Sequence, residues 1–326
     1  MADGFELYGP EDRHQLCIGD ALESVKLLDD EIVRLTATSP PYWNVKDYGV
    51  EGQLGHGKGL REYLDYMRDL ATELLRVTAP NGKAAINTSA IPASKEHGTD
   101  PMLIDSGRSR VVDLPSFIQR EFLEAGWELS NIIIWDKRKY NNQRIFGSYP
   151  YPPNFFSHIS FEMIHVFRKP GDHPKQEVSE ENKEASILTM EEWSDWCFDS
   201  IWDIAPVIKF HGNDINALEH DAPYPTEIPE RLIRMFSFVG DTILDPFAGT
   251  GTTLGVANLL GRRGIGVELD PNLADMIRLR TVNLQLDAKD VKTKRQHVTL
   301  DFFSGENDTS AAAEYDGIDR AGHEEE

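Results

Sequence analysis

Apolar and polar positions alternate along the first half of the chain with two different periods, which indicates strands interleaved with helices. Runs with the pattern of a strand lie at residues 13–18, 32–38, 83–87, 129–135 and 162–168. Apolar residues recur at helical spacing at residues 22–28, 60–77 and 117–125. The segment 80–82, with the sequence PNG, is predicted to end the longest helix before the next strand begins.

The pattern weakens over residues 141–215, where prolines and acidic residues interrupt it, and then returns. A helix is predicted at 229–238, a strand at 242–246, a helix at 252–260 and a strand at 264–268. Alternating strands and helices are typical of a mostly parallel sheet that is covered on both faces and binds ligands at the carboxyl ends of its strands. The sequence therefore predicts a doubly wound, Rossmann-like α/β fold with an irregular insertion.

The formal net charge of −22 is concentrated in two segments. Residues 177–203 and residues 301–326 each carry nine acidic residues and one basic residue, so each contributes −8. A protein that binds a polyanion needs cationic surface elsewhere. Residues 137–144, with the sequence KRKYNNQR, contain four bases and no acid. They fit a loop that contacts a nucleic-acid backbone, and they also fit a solvated basic turn.

Cysteine content and hydropathy favour a cytoplasmic protein without a membrane partner. Cys17 and Cys197 are too few for a disulfide framework or a four-cysteine zinc site, and we predict no metal site. No apolar run approaches the roughly 18 residues of a membrane helix. The acidic amino end does not fit a signal peptide. Residues 301–326 are acidic and rich in small residues, which predicts a disordered tail.

A glycine-rich turn between a predicted strand and a predicted helix is the first motif with chemical content. Residues 244–253 read LDPFAGTGTT, in which Gly249 and Gly251 permit a tight turn and Thr252 or its neighbour can cap the helix. Glu268 follows Gly249 by 19 residues, at the end of the next strand, where an acid commonly binds ribose hydroxyls. Together these features indicate a nucleoside-containing cofactor. The glycine turn alone would also fit a dinucleotide site or an ordinary strand–helix turn.

Residues 38–43, with the sequence TSPPYW, form the second motif and follow another predicted strand. The amino group of a nucleic-acid base attacks poorly because its lone pair is delocalised into the ring. The Ser39 hydroxyl and the Pro40 carbonyl can accept the amino hydrogens, while Pro41 fixes the preceding backbone. Tyr42 offers a flat face to an unstacked base.

Parts of this second motif have simpler interpretations. A Pro-Pro-aromatic segment taken alone is more often a turn or an extended ligand segment than a catalytic loop. Trp43 fits core packing as well as it fits a functional role.

Residues 38–43 followed by residues 244–253 resemble the amino-group DNA methyltransferases of the permuted beta class. In that class the catalytic motif precedes the cofactor motif. The similarity covers roughly residues 12–300 and includes further segments at 19–22, 133–137, 161–167, 220–233 and 264–270.

The resemblance implies a circularly permuted class I S-adenosylmethionine-dependent methyltransferase fold. It places the catalytic half at residues 1–170, a target-recognition insertion at 171–217 and the cofactor-binding half at 218–300, before the tail at 301–326. The implied cofactor is S-adenosylmethionine and the implied substrate is double-stranded DNA, whose target base rotates out of the duplex. A cognate restriction endonuclease is a candidate partner, and the sequence does not indicate an oligomeric state.

The resemblance also implies roles for individual residues. The expected catalytic residues are Ser39, Pro40, Pro41 and Tyr42. The expected cofactor-binding residues are Asp20, Pro225, Thr226, Asp245, Phe247, Gly249, Gly251, Thr252 and Glu268. The charge of the basic segment, rather than the resemblance, gives the expected DNA-binding residues Lys137, Arg138, Lys139 and Arg144.

Ser39 stands where many members of the family have aspartate, which resembles the subgroup that methylates N4 of cytosine. N4 of cytosine is therefore the expected target, and N6 of adenine is the alternative. A cytosine-C5 methyltransferase would need a cysteine nucleophile, and neither Cys17 nor Cys197 follows a proline. A nicotinamide dehydrogenase would not need the segment SPPY. The alternative of another class is a catalytically silent nucleic-acid-binding protein with the same fold, against which the intact motifs argue.

Overall fold

A nine-stranded, mostly parallel sheet organises the computed structural model of the protein. The structure describes residues 4–93, 110–140, 146–147, 155–172, 175–207 and 225–284. In spatial order, the sheet consists of β1 (Glu6–Tyr8), β2 (His14–Ile18), β13 (Arg263–Glu268), β12 (Thr242–Asp245), β3 (Val33–Thr38), β4 (Thr78–Thr88), β10 (Phe161–Arg168), β7 (Glu128–Asp136) and β11 (Ile201–Asp203). Strands β1 and β10 run antiparallel to their neighbours and the other pairs are parallel.

Two short antiparallel pairs, eight α-helices, two short 3-10 helices (Pro10–Asp12 and Pro271–Leu273) and one π-helix (Ser194–Phe198) complete the described elements. The pairs are β5 (Ile91–Ala93) with β6 (Arg110–Val112), and β8 (Phe146–Gly147) with β9 (Phe155–Phe156). The helices are α1 (Ala21–Lys26), α2 (Leu60–Val77), α3 (Leu114–Glu124), α4 (Glu180–Glu184), α5 (Met190–Trp193), α6 (Glu227–Phe236), α7 (Thr252–Leu259) and α8 (Ala274–Asn283). None of these helices is long and apolar enough to cross a bilayer.

Helices cover the sheet with separate apolar clusters. Leu64 and Met67 of α2 pack in one cluster with Phe122 of α3. Leu232 and Ile233 of α6 belong to a second cluster. Trp43 is buried in the first cluster, so the core-packing interpretation of this residue is confirmed. The chain up to Gln285 forms one compact unit. The tail predicted at 301–326 lies outside the described residues.

Two local predictions were wrong. Residues 80–82 do not separate α2 from the next strand, because β4 begins at Thr78 and includes them. The register jumps here from Val33 opposite Thr78 to Leu35 opposite Lys83, so that the PNG segment forms an irregularity inside the strand. The insertion is not wholly irregular either, since β11 joins the main sheet beside β7. A three-residue strand is too short to show a period in the sequence.

Candidate active site

One edge of the sheet collects both sequence motifs around a cavity of about 450 Å³. The parallel strands β2, β13, β12 and β3 all end there, and antiparallel β10 begins there. The cavity is lined by residues from these ends, including Asp20, Ser39, Pro40, Pro41, Tyr42, Asn87, Lys137, Glu162, Asp245, Phe247, Gly249, Thr252 and Glu268. This volume lies in the range of small-molecule sites.

Glu268 is held at the end of β13 by main-chain donors. Gly249 N donates to Glu268 Oε2 at 2.7 Å, and Asp270 N donates to Oε1 at 2.9 Å. Burial raises the pKa of Glu268 above its ordinary value, although these donors act in the opposite direction. A carboxylate accepts about four hydrogen bonds, so Glu268 keeps acceptor capacity for a ligand hydroxyl beside its main-chain donors, Gly249, Leu269 and Asp270.

Asp245 connects the two motifs directly. Thr38 Oγ1 donates to Asp245 Oδ1 at 2.6 Å, and Phe247 N donates to the same oxygen at 3.1 Å. Asp245 is buried, and burial raises the pKa of its carboxyl group. Since Thr38 immediately precedes Ser39, this bond fixes the SPPY segment relative to the glycine turn.

Gly251, not Thr252, is the residue that precedes the first turn of α7. It adopts φ +80°, and the structure shows no side-chain hydrogen bond at this cap. The predicted capping role of Thr252 is therefore wrong, because Thr252 already lies inside the helix. A Cβ at Gly251 would lie 3.1 Å from Ile277 Cα, so only glycine fits both the dihedral angle and the contact with α8.

Asp20 lines the cavity and caps α1. Asp20 Oδ1 accepts from Glu23 N at 3.0 Å, and Oδ2 accepts from the Tyr66 hydroxyl at 2.8 Å. Tyr66 also lines the cavity, and its hydroxyl accepts from Leu22 N at 3.0 Å. The sequence did not reveal Tyr66, because it lies within the helical pattern of α2. The expected contact of Asp20 with a nucleoside stays a prediction.

Pro225 and Thr226 lie at the start of α6, where the Pro225 carbonyl accepts from Ile228 N at 3.3 Å. They are not among the described residues that line the cavity. The segment that precedes them, 208–224, lies outside the described residues. Their expected role in cofactor binding stays a prediction.

A polar network lies behind the SPPY segment. Tyr42 donates its hydroxyl proton to Glu162 Oε2 at 2.7 Å, and Ser39 Oγ lies 3.2 Å from the Tyr42 oxygen. Asn87 Nδ2 donates to Glu162 Oε2 at 2.6 Å and lies 3.1 Å from the Tyr42 oxygen. Lys137 forms an ion pair with Glu162 Oε1. The catalytic residues expected from the sequence therefore meet side chains to which the sequence assigned no role in this site.

The basic segment at 137–144 divides between the cavity and the surface. Lys137 is largely buried and its ammonium lies 4.9 Å from the ring centroid of Trp135. Arg138 and Lys139 are exposed and form ion pairs with Asp136 and Asp203, respectively. Arg144 lies outside the described residues. Contact of these four residues with DNA stays a prediction, and among the three that the structure describes, Lys137 lines the cavity.

Neither cysteine lies where a cytosine-C5 methyltransferase would need a nucleophile. Cys17 is buried, with its Sγ 3.4 Å from Ser24 Oγ, and Cys197 is exposed. Neither residue lines the cavity. Across the part of the chain that the structure describes, no cluster of three His, Cys, Asp or Glu side chains fits a metal ion.

A family model described as DNA methylase, covering the N6 and N4 enzymes, matches residues 33–279. The chain belongs to this DNA methylase family. The match contains both motifs, and the SPPY segment after β3 precedes the glycine-rich segment after β12, as expected for a circularly permuted class I methyltransferase. The predicted family and fold class are confirmed.

Relatives and solved structures of the DNA methylase family match over most of the chain. The type II methyltransferase M.MthZI of Methanothermobacter thermautotrophicus is 31% identical over 296 residues, which are 86% of this chain and 80% of the relative. M.MjaI of Methanocaldococcus jannaschii is 32% identical over 287 residues, 81% of this chain and 89% of the relative.

The structure of a DNA modification methylase from Thermus thermophilus, TTHA0409, solved with S-adenosyl-L-methionine, has a TM-score of 0.63 and 34% identity. It matches over 82% of this chain and 94% of that chain. The cytosine-N4-specific PvuII DNA methyltransferase, at 19% identity and a TM-score of 0.57, shares the fold and matches over 89% of this chain and 94% of its own.

Proposed function

We propose that this protein is a site-specific DNA methyltransferase that transfers a methyl group from S-adenosylmethionine to the N4 amino group of cytosine. The broader statement rests on family membership: the protein is an S-adenosylmethionine-dependent DNA amino-methyltransferase of the N4/N6 type. The choice of cytosine rests on Ser39. The observation that carries the proposal is the meeting of both motifs at one cavity, joined by the bond from Thr38 to Asp245.

The residues at this cavity fit S-adenosylmethionine. Glu268 presents a carboxylate for the ribose hydroxyls, and the adjacent glycine turn allows a ligand to approach the main chain closely. Phe247 is half-buried and lines the same cavity, where its ring can pack against an apolar face of the cofactor. When bound, the cofactor supplies a methyl group that is activated by a cationic sulfur.

Ser39, Pro40 and Tyr42 prepare the target base. The base has to leave the duplex, because an amino nitrogen inside the stack cannot reach the cavity. Tyr42 stacks on the unstacked base, while Ser39 Oγ and the Pro40 carbonyl accept the amino hydrogens and draw the nitrogen lone pair out of the ring. Positioning supplies much of the rate, since the nitrogen is held against an activated methyl group.

Cytosine is favoured because Ser39 supplies a neutral hydroxyl where an aspartate would supply a charged acceptor. N6 of adenine is the second candidate, since adenine also presents an amino group beside a ring nitrogen. Nucleoside mass spectrometry of plasmid DNA treated with protein and cofactor distinguishes them. We expect N4-methylcytosine. N6-methyladenine would refute the choice of cytosine and would still agree with methylation of an amino group. 5-Methylcytosine would refute the proposed N4 target and the proposed amino-group chemistry.

We assign target recognition to residues 171–217, between the catalytic half at 1–170 and the cofactor half at 218–300. Val207, which follows β11, lines the cavity, and this position supports the assignment. Sequencing of treated DNA on a platform that detects modified bases would give the recognition sequence. The curated relatives are type II methyltransferases, which supports a cognate restriction endonuclease as a partner.

Arg138 and Lys139 are proposed to contact the DNA backbone. The double change Arg138→Ala and Lys139→Ala is expected to lower DNA affinity and to reduce the slope of log affinity against log salt by about one unit per lost phosphate contact. Cofactor affinity should not change. Fluorescence anisotropy at several salt concentrations measures this slope. Arg120→Ala on α3, also exposed and ion-paired, is the control. A slope equal to that of the wild type would indicate a solvated turn.

A further inference from the structure

In the polar network behind the SPPY segment, the hydroxyl groups donate their hydrogen bonds in a defined order. The single hydroxyl proton of Tyr42 is donated to Glu162 Oε2 at 2.7 Å. In the 3.2 Å contact between the hydroxyls, the proton must therefore come from Ser39. The order of donation runs from Ser39 through Tyr42 to Glu162. Asn87 Nδ2 donates to Ser39 Oγ at 3.4 Å, which leaves one lone pair on this oxygen to accept a hydrogen from a ligand in the cavity.

Glu162 is the last acceptor in this series of hydrogen bonds, and a neighbouring ammonium group supplies its counter-charge. It is buried, it forms an ion pair with Lys137, and Asn87 Nδ2 donates to the same oxygen that accepts from Tyr42. Burying a carboxylate is costly unless it is paired and hydrogen-bonded. Three polar partners aligned on one acid at the wall of the catalytic cavity indicate a specific task for that acid.

We propose that Glu162 is the final proton acceptor of the methyl transfer, reached through the hydroxyls of Ser39 and Tyr42. Methylation of an amino group leaves the base with one proton too many. As the bond from the nitrogen to the methyl carbon forms, the methyl–sulfur bond breaks and the sulfur keeps its electron pair. The amino proton passes to Ser39 Oγ, the Ser39 proton to Tyr42, and the Tyr42 proton to Glu162.

The products of this relay are balanced. The base retains one amino hydrogen and the new methyl group, both hydroxyls are restored, and Glu162 becomes a neutral acid. Because Glu162 acts through Tyr42, it is a positioning residue in the resting enzyme. This inference rests on the proposed amino-group methylation.

Glu162→Gln tests the relay with little change in shape, since glutamine can accept a hydrogen bond and cannot take the proton. We expect kcat to fall about 10²-fold, with KM for DNA and Kd for the cofactor unchanged. Tyr42→Phe keeps the ring face and breaks the chain of hydroxyls, so a similar fall is expected. The double variant should be no slower than either single variant, because both changes interrupt one path.

Glu128→Gln is the matched control. Glu128 is also a strand carboxylate with an ion pair, to Arg168, and it does not line the cavity. Its kcat should equal that of the wild type. Losses in Glu162→Gln and Tyr42→Phe that multiply in the double variant would overturn the relay, as would a kcat for Glu162→Gln within about twofold of the wild type.

Proton NMR of the protein without DNA or cofactor is a readout that does not depend on activity. A hydroxyl proton held between a phenol and a carboxylate is strongly deshielded. We expect a resonance downfield of the amide region in the wild type and its loss in both Tyr42→Phe and Glu162→Gln. A wild-type spectrum without this resonance would overturn the relay even in an active enzyme. If the wild-type protein methylates no amino group, the proposed function is refuted. The presence or absence of the resonance tests the hydrogen bond between Tyr42 and Glu162 independently of that result.

Discussion

Glu268→Gln is expected to weaken S-adenosylmethionine binding by about 10²-fold, the equivalent of roughly 3 kcal/mol. The carboxylate accepts from the main chain on both oxygens and keeps acceptor capacity for the ribose. Glutamine has only one carbonyl oxygen, and its amide group would face either Gly249 N or Asp270 N, donor against donor. Isothermal titration calorimetry measures the change. Glu128→Gln serves as the control, and an affinity equal to that of the wild type would refute the ribose contact.

The affinity of this site for the cofactor is also expected to depend on pH. Burial raises the pKa of Glu268, and only the ionised form accepts from both main-chain donors and both hydroxyls. Cofactor affinity is therefore expected to fall as the pH is lowered through this raised pKa, at a higher pH than an exposed glutamate would give. Titrations at several pH values should show this fall in the wild type and its absence in Glu268→Gln.

Ser39→Ala is expected to lower kcat by about 10²-fold, the effect of removing one group that stabilises a transition state. The hydrogen bond from the amino group strengthens as the nitrogen becomes pyramidal, so KM for DNA and Kd for the cofactor should change little. Single-turnover measurements with saturating cofactor separate the two effects.

Ser130→Ala is the control for this change, because Ser130 is an exposed serine on β7 whose hydroxyl donates only to Asn131 among its described partners. The thermal midpoints of both variants should match that of the wild type. An unchanged kcat in Ser39→Ala would remove Ser39 from the catalytic mechanism.

Local signals were sufficient to predict the strands and turns that build the site. The strand before Ser39 and the turn at Gly249 combine apolar runs with Pro and Gly, residues that restrict or free the backbone within a few positions. Glu268 was predicted from its spacing to Gly249, and the structure joins the two by a hydrogen bond of 2.7 Å.

Contacts between distant segments were not predicted. Tyr42 and Glu162 are 120 residues apart, and Asn87 lies in an apolar strand whose pattern does not distinguish it from a core position. The pairing of β11 with β7 was missed for the same reason. Periodicity tells which face of an element is buried, and it does not tell which partner covers that face. The side chains that surround Ser39 therefore needed the fold.

The order of strands in the sheet affects how the protein can fold during its synthesis on the ribosome. Strands β12 and β13 lie between β2 and β3, although they are synthesised some 200 residues after β3. A nascent chain that ends before Thr242 holds β2 and β3 with two vacant positions between them. The edge of β2 that faces β3 and the edge of β3 that faces β2 then remain without partners. Such long-range pairing is slow and leaves apolar surface open to aggregation. The middle of the sheet is thus filled last, only after translation has passed Glu268, and a chaperone that shields strand edges would act during that interval.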